Sequence, residues 1–166
     1  MKTIKVVLTK YEIMWAATVG IRRHLQSKDS KSHNKVGNKK YGWHTDIEGA
    51  CGEMAAGKAL NLYWDGSVNT YKDPDLPPDI QVRWNDVPEG HLIYRPDDSE
   101  VERFIYVMGV APKFELKGWI YGREGRKDEY IKNPGGKFPA WFVPQRVLRP
   151  MDTFEIITFK EEDHGK

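Results

Sequence analysis

The sequence predicts an α+β fold, with two helices leading and a run of short strands following. Three observations carry that expectation. Apolar residues recur at helical spacing over residues 10–26 and 45–61. Beyond residue 62 they gather instead in short stretches cut by Pro and Gly. The length, 166 residues with 39% hydrophobic and 30% charged side chains, suits one domain with a core of ordinary size.

Taken in order, residues 4–8 read as a short strand or an extended arm. Residues 10–26 read as an amphipathic helix with Ile13, Ala16, Ala17, Gly20, Ile21 and Leu25 inward, and Arg22, Arg23 and His24 in its last turn. Residues 27–40 are polar, carry five lysines and show no period, so they read as a loop, the most basic in the chain. Over 45–61, Thr45 and Glu48 fit a capping box. Ile47, Cys51, Met54, Ala55 and Leu62 mark the buried face there. Gly49, Gly52 and Gly57 each cost about 1 kcal/mol relative to Ala in a helix, so their presence implies close backbone packing or a ligand nearby. Strands are expected at 67–71, 80–84, 91–95, 103–110, 113–121, 140–143 and 154–159. Asp97-Asp98-Ser99 is placed to cap one helical turn over 100–103. Residues 161–166 read as a frayed tail, and neither a repeat nor a linker divides the chain.

Several classes fall away. A single cysteine, Cys51, allows no intrachain disulfide and no cysteine-based zinc site. The apolar stretch near the start is too short for a secretory signal, and nothing approaches the roughly 20 apolar residues of a membrane span. The cytoplasm, with no membrane partner, is the expected setting. The histidines have no metal spacing, no Gly-X-Ser-X-Gly occurs, and the glycines near 118–125 do not lead a strand into a helix. A net charge of +2 does not argue for nucleic acid by itself, so any such case rests on where the charge sits.

Two places concentrate charge that could do chemistry. Arg22, Arg23, Lys35, Lys39 and Lys40, on and beside the basic loop, could follow a phosphate backbone. Arg123–Lys127 form a smaller basic cluster. The second place is Pro74–Arg83. On an alternating strand Ile80 and Val82 face the core while Asp79, Gln81 and Arg83 face the other way. Asp75 precedes them at a Pro-rich bend. A carboxylate at a bend, followed by two polar side chains two residues apart, suits a magnesium site in which the cation steadies charge on a phosphate. Asp73, Asp75 and Asp79 all compete for the ligand role.

Pro74-Asp75, then Gln81-Val82-Arg83, resembles the Pro-Asp…(Asp/Glu)-X-Lys signature of the restriction-endonuclease-like nuclease superfamily. Gln81 stands where that family has Asp or Glu, and Arg83 where it has Lys. The resemblance covers roughly residues 45–121. It implies a core of helix, mixed sheet of about five strands and short helix, preceded here by an N-terminal helix. It also implies a metal site in which Glu53, on the core helix, joins Asp75, with Asp79 as the alternative. Residues 48–64, 79–83, 118–120 and 141–144 are further similar to a group of small, mostly phage-encoded proteins, which brings no activity with it.

The function implied is a Mg²⁺- or Mn²⁺-dependent nuclease acting on DNA rather than RNA, with Glu53, Asp75, Gln81 and Arg83 as its catalytic set. By analogy with the family it would work as a homodimer. The alternative is a catalytically inactive nuclease fold that binds nucleic acid or a host protein, since Gln81 carries no charge and Arg83 is no simple substitute for Lys. A third reading, an interaction protein with no site, predicts that Glu53, Asp75 and Gln81 lie apart.

Overall fold

The structure, a computed structural model, describes residues 2–29, 42–68, 73–133 and 139–157, with backbone alone over 27–29. Helix α1 (Lys10–Asp29) follows a short strand, β1 (Ile4–Val7). Its start is fixed by a capping box that the sequence spells as Thr9-x-x-Glu12. The Glu12 amide donates to Thr9 Oγ1 at 3.2 Å, and the Thr9 amide to Glu12 Oε2 at 2.6 Å. Ala16, Val19, Gly20 and His24 form its buried face. Ile21 and Leu25, expected inward, lie instead on the outer face at 39% and 51% exposure. At 100° per residue they fall nearly opposite Ala16 and Gly20, so one helix cannot bury both sets against the same neighbour.

Helix α2 (Trp43–Leu60) starts two residues before the expected Thr45 and has Gly42 at its N-cap. The capping box expected at Thr45 and Glu48 therefore does not form. Glu48 Oε2 accepts the Ala111 amide at 2.9 Å, tying α2 to the turn that follows β4. The helix ends at Asn61, which takes the left-handed conformation (φ 53°). The helices cross where α1 has no side chain: a Cβ on Gly20 would lie 2.6 Å from the Asp46 carbonyl oxygen and from Ile47 Cα. Of the α2 glycines, Gly52 lets the Trp84 ring approach and Gly57 packs under Leu62, Trp64 and Leu76, whereas Gly49 faces open space.

The strands build two sheets rather than one. Sheet A has the order β1-β5-β4-β2, where β2 is Ile80–Asn85, β4 is Arg103–Val110 and β5 is Lys113–Tyr121. Within it β2 runs parallel to β4, and the other neighbours are antiparallel. Sheet B has the order β3-β7-β6, from Leu92–Tyr94, Ala140–Val143 and Ile131–Lys132. The strand expected at 91–95 thus leaves the main sheet to pair with β7.

Residues 100–102 are bends that lead into β4 without a helical turn, and 154–157 form no strand. Ser99 Oγ accepts the Val101 and Glu102 amides there, which turns the chain into β4 without the repeated backbone bonds of a helix. Residues 67 and 68 are irregular, and 69–72 lie outside the described residues, as do residues 30–41 and the tail 161–166.

Sheet A is buried on both faces, as the near-continuous burial of Arg103–Val107 requires. Ile80, Val82, Ile105 and Val107 pack toward the helices with Ala50, Cys51, Ala55 and Leu76. Phe104, Tyr106 and Ile120 pack the other way, against Leu92, Tyr94 and Val143 of sheet B. Strand β2 forms one edge of sheet A, and that edge is where the candidate site sits.

Candidate functional site

The β2 edge offers a row of backbone groups with no strand to pair them. The chain covers it with its own preceding bend. Leu76 and Ile80 exchange both backbone hydrogen bonds at 3.0 Å. The next outward amide, Val82, donates instead to Asp75 Oδ2 at 2.7 Å. The Pro74-Asp75 bend is therefore built against the strand, and it holds a carboxylate at the sheet edge between the helical layer and sheet B.

From the helical side comes Glu53, 8% exposed in the middle of α2. Arg23 of α1 grips it with two parallel bonds, Nη1 to Oε1 at 2.6 Å and Nη2 to Oε2 at 2.8 Å. The buried Trp64 indole donates to Glu53 Oε2 at 3.0 Å. Arg23 also donates to the Ser67 carbonyl from Nε and Nη2. From the sheet B side comes Arg83, with Nη1 3.9 Å from Asp75 Oδ2 and Nη2 donating to Asp98 Oδ1 at 2.8 Å. Its guanidinium lies over the Phe104 ring, 5.0 Å from the centroid. Arg23, Glu53, Asp75, Arg83 and Asp98 thus form a row across the sheet edge in which two neighbouring carboxylates, Glu53 and Asp75, lie between two guanidinium groups.

The electrostatics follow from that row. Burial, and then the charge of Glu53, raise Asp75 from the ordinary aspartate value to about 7, against Arg83, the Val82 amide and Arg23, which favour ionisation. Burial works against the Arg23 charge, but Glu53, Asp75 and Asp46 outweigh it and hold the guanidinium above its ordinary pKa. Asp75 therefore holds its proton well above the ordinary aspartate range, with burial and the Glu53 charge as the causes.

The other sequence candidates fall elsewhere. Gln81 does not turn toward Glu53. Its Nε2 donates to the Asp73 carbonyl at 3.2 Å, its Oε1 accepts from Arg83 at 3.4 Å, and it hydrogen-bonds Glu102. Asp79 does not share the face of Gln81 and Arg83. Arg103, 2% exposed, holds both its oxygens, at 2.8 and 2.5 Å, so Asp79 locks β2 to β4. Arg22 is exposed on the outer face of α1 while Arg23 points inward to Glu53. Lys35, Lys39 and Lys40 lie outside the described residues.

Sequence reasoning left out Trp64 and gave Asp98 and Arg23 other roles, a helix cap and a phosphate contact. Trp64 carries no local signal, because its partner is distant in the chain, and Asp98 shows only its local turn role, accepting the Arg95 amide, while its tie to Arg83 depends on the fold. The pairing of Arg23 was readable: it stands seven residues after Ala16 and three after Gly20, on the buried face. Beside it His24, 5% exposed, contacts Asp46 Oδ2 through Nδ1 at 2.7 Å and stacks near Trp43 with ring centroids 4.2 Å apart.

Among the described residues no group of three or more His, Cys, Asp or Glu is arranged to hold a metal ion; Glu53 and Asp75 are two carboxylates that feel each other's charge. Two carboxylates nonetheless suit Mg²⁺ in its usual protein mode, one or two carboxylates with a substrate phosphate completing the shell. A cation there would compete with Arg23 for Glu53. No described helix is long and apolar enough to cross a membrane. No protein-family model matches the chain, and neither does any curated protein or solved structure.

Proposed function

We propose that the β2 edge is a phosphodiester-acting site that works with Mg²⁺ or Mn²⁺ on DNA. The observation that carries this reading is the Glu53–Asp75 carboxylate pair held between two guanidinium groups. Glu53 and Asp75 would hold the cation, which supplies Lewis-acid stabilisation of charge on the phosphate. Arg83, on the sheet B side, offers a planar charged group that can bind phosphate oxygens in pairs. Arg23 positions Glu53. The finer fold reading, a restriction-endonuclease-like core, draws support from α2 laid on a mixed sheet, with Pro74-Asp75 heading the strand that bears Gln81 and Arg83. The test is cleavage of supercoiled and single-stranded DNA with each metal, with EDTA and Asp75→Ala as controls. Metal-dependent cutting that vanishes in the variant supports the reading. Cutting that survives Asp75→Ala removes it.

One observation favours a second reading. Arg23 takes both oxygens of Glu53, and Arg83 is tied to Asp98, so the charges already satisfy one another. A nuclease fold whose site has closed in this way would bind nucleic acid, or a host protein, without cutting. Salt-sensitive, metal-independent DNA binding with no cleavage distinguishes it from the first reading.

A further inference from the structure

The basic cluster Arg123–Lys127, which takes no part in the carboxylate site, sends one guanidinium back toward it. Arg126 follows the short turn Gly122–Gly125 after β5, and its side chain is 12% exposed. Three other described arginine side chains are mostly buried: Arg23, Arg83 and Arg103, at 23%, 25% and 3% exposure. Each of those three has a carboxylate oxygen within 2.8 Å. Arg126 does not. Among the described residues its one carboxylate in ion-pair range is Glu100, whose Oε1 stands 4.0 Å away on a side chain 69% exposed. Arg126 Nη2 donates to the Asp98 carbonyl, and Nε is buried with no acceptor among the described residues. The guanidinium lies over the Trp141 ring, 4.8 Å from its centroid, and the indole Nε1 is buried and unpaired too. A desolvated cation normally has a paired carboxylate, and buried donors normally have acceptors. Arg149 also keeps a buried Nη1 without an acceptor, but Glu124 meets its charge at 2.7 Å. Arg126 alone of these arginines lacks an anion.

We propose that Arg126 is a second phosphate-binding residue, which takes the phosphate next to the one held by Arg83 on the same DNA strand. The clamp rests on the phosphodiester reading of the β2 edge, which it extends from one phosphate to two. Asp98 sets its spacing. A tight turn fixes that residue: its amide donates to the Arg95 carbonyl at 3.1 Å, and its Oδ2 accepts the Arg95 amide at 2.8 Å. From there Oδ1 takes Arg83 at 2.8 Å, and the carbonyl takes Arg126. Two guanidinium groups on one residue lie close enough to hold neighbouring phosphates of one strand and so fix its register. The Asp98 carboxylate is taken by Arg83 and the Arg95 amide, so Arg126 meets only a neutral oxygen there. With Nη2 on that oxygen and Nε covered, Nη1 is the donor that meets the phosphate. Stacking on Trp141 holds the guanidinium plane, and a charged planar fork suits phosphate oxygens. The strand would run from the carboxylate pair past Arg83 toward sheet B.

Binding measured without metal tests this whether or not the site cuts. A fluorescent single-stranded oligodeoxynucleotide is titrated with the full chain in EDTA over a range of salt concentrations. Arg126→Gln should weaken binding whatever the base sequence and reduce the log–log salt slope by about 0.7, the share of one phosphate on a single strand. At about 0.1 M salt that is a roughly five-fold loss of affinity. Arg126→Lys, which keeps the charge, should restore the slope. Arg149→Gln, an arginine stacked on Trp119 but paired with Glu124, should leave it unchanged. The thermal midpoint without DNA separates binding from a structural role. Removing a buried charge that has no close carboxylate should leave the midpoint of Arg126→Gln unchanged or raised. A lowered midpoint with the salt slope of the wild type makes Arg126 structural and overturns the clamp. An unchanged slope at any midpoint does the same and leaves the phosphodiester reading standing. A wild-type chain that binds no DNA at low salt overturns that reading, and the clamp with it.

Discussion

At the scale of single residues, the site is governed by how few charges share how little water. Glu53 is needed by Arg23 at least as much as by any ligand. Their side chains are 11% and 23% exposed. Removing one partner from such a pair leaves a charge with poor solvation. Glu53→Gln should therefore cost roughly 3 kcal/mol of stability. Urea unfolding measures this, and replacing Arg23→Met in the same chain should recover part of it. A Glu53→Gln protein as stable as the wild type would mean the pair is solvated and contributes nothing.

Asp75 titrates in the opposite sense from a salt-bridged carboxylate. Its folded pKa lies above its ordinary value, so between 3.8 and about 7 the folded chain keeps a proton that the unfolded chain has released. Rising pH then removes stability across that window, at no more than about 1.4 kcal/mol per pH unit for one group. Asp75→Asn lacks the titration. The stability difference should move in favour of the variant from mild acid to neutral pH and level off above. Movement toward the wild type would mean that Asp75 is held ionised by Arg83 and that Glu53 does not crowd it. Sequence reasoning could place Asp75 at a bend before a strand. It could not show that Asp79, four residues on, belongs to Arg103, because that pairing depends on β2 lying parallel to β4.

Among elements, α2 was the most legible and α1 the most misleading. Both show helical spacing, but α1 repeats apolar residues on two faces, so periodicity alone cannot say which face is inward. Gly20 says it. A side chain there would strike α2 backbone, which cannot rotate aside as a side chain can. Gly20→Ala gains about 1 kcal/mol of helix propensity and should lose more, about 1–3 kcal/mol, to overpacking. Its thermal midpoint should fall. A rise would mean that the helices cross elsewhere. The strands of sheet A were legible from alternation and from Gly and Pro boundaries. Which sheet each strand joins was not, because pairing is decided by contacts between residues far apart, as with Leu92–Tyr94 and Ala140–Val143.

Across the whole molecule, sheet A is a shared wall with a core on each side, and the two cores differ in what holds them. The helical side joins α1, α2 and all four strands of sheet A around one apolar cluster. The far side rests on sheet B, whose strands are three, four and two residues long, with both residues of β6 exposed. Short strands bury little surface per backbone hydrogen bond, and such regions open first in native proteins. Amide exchange should therefore be fastest in β6, β7 and β3 and slowest in β4 and β5. The site spans that difference. Arg83 rests on Phe104 and holds Asp98 on the sheet B side, while Glu53 and Arg23 belong to the helical core. An opening of sheet B would thus release Arg83 from Asp98 while leaving the carboxylate pair in place. Equal protection of the β3 and β4 amides would show that the two cores open together and that the halves of the site are not separable.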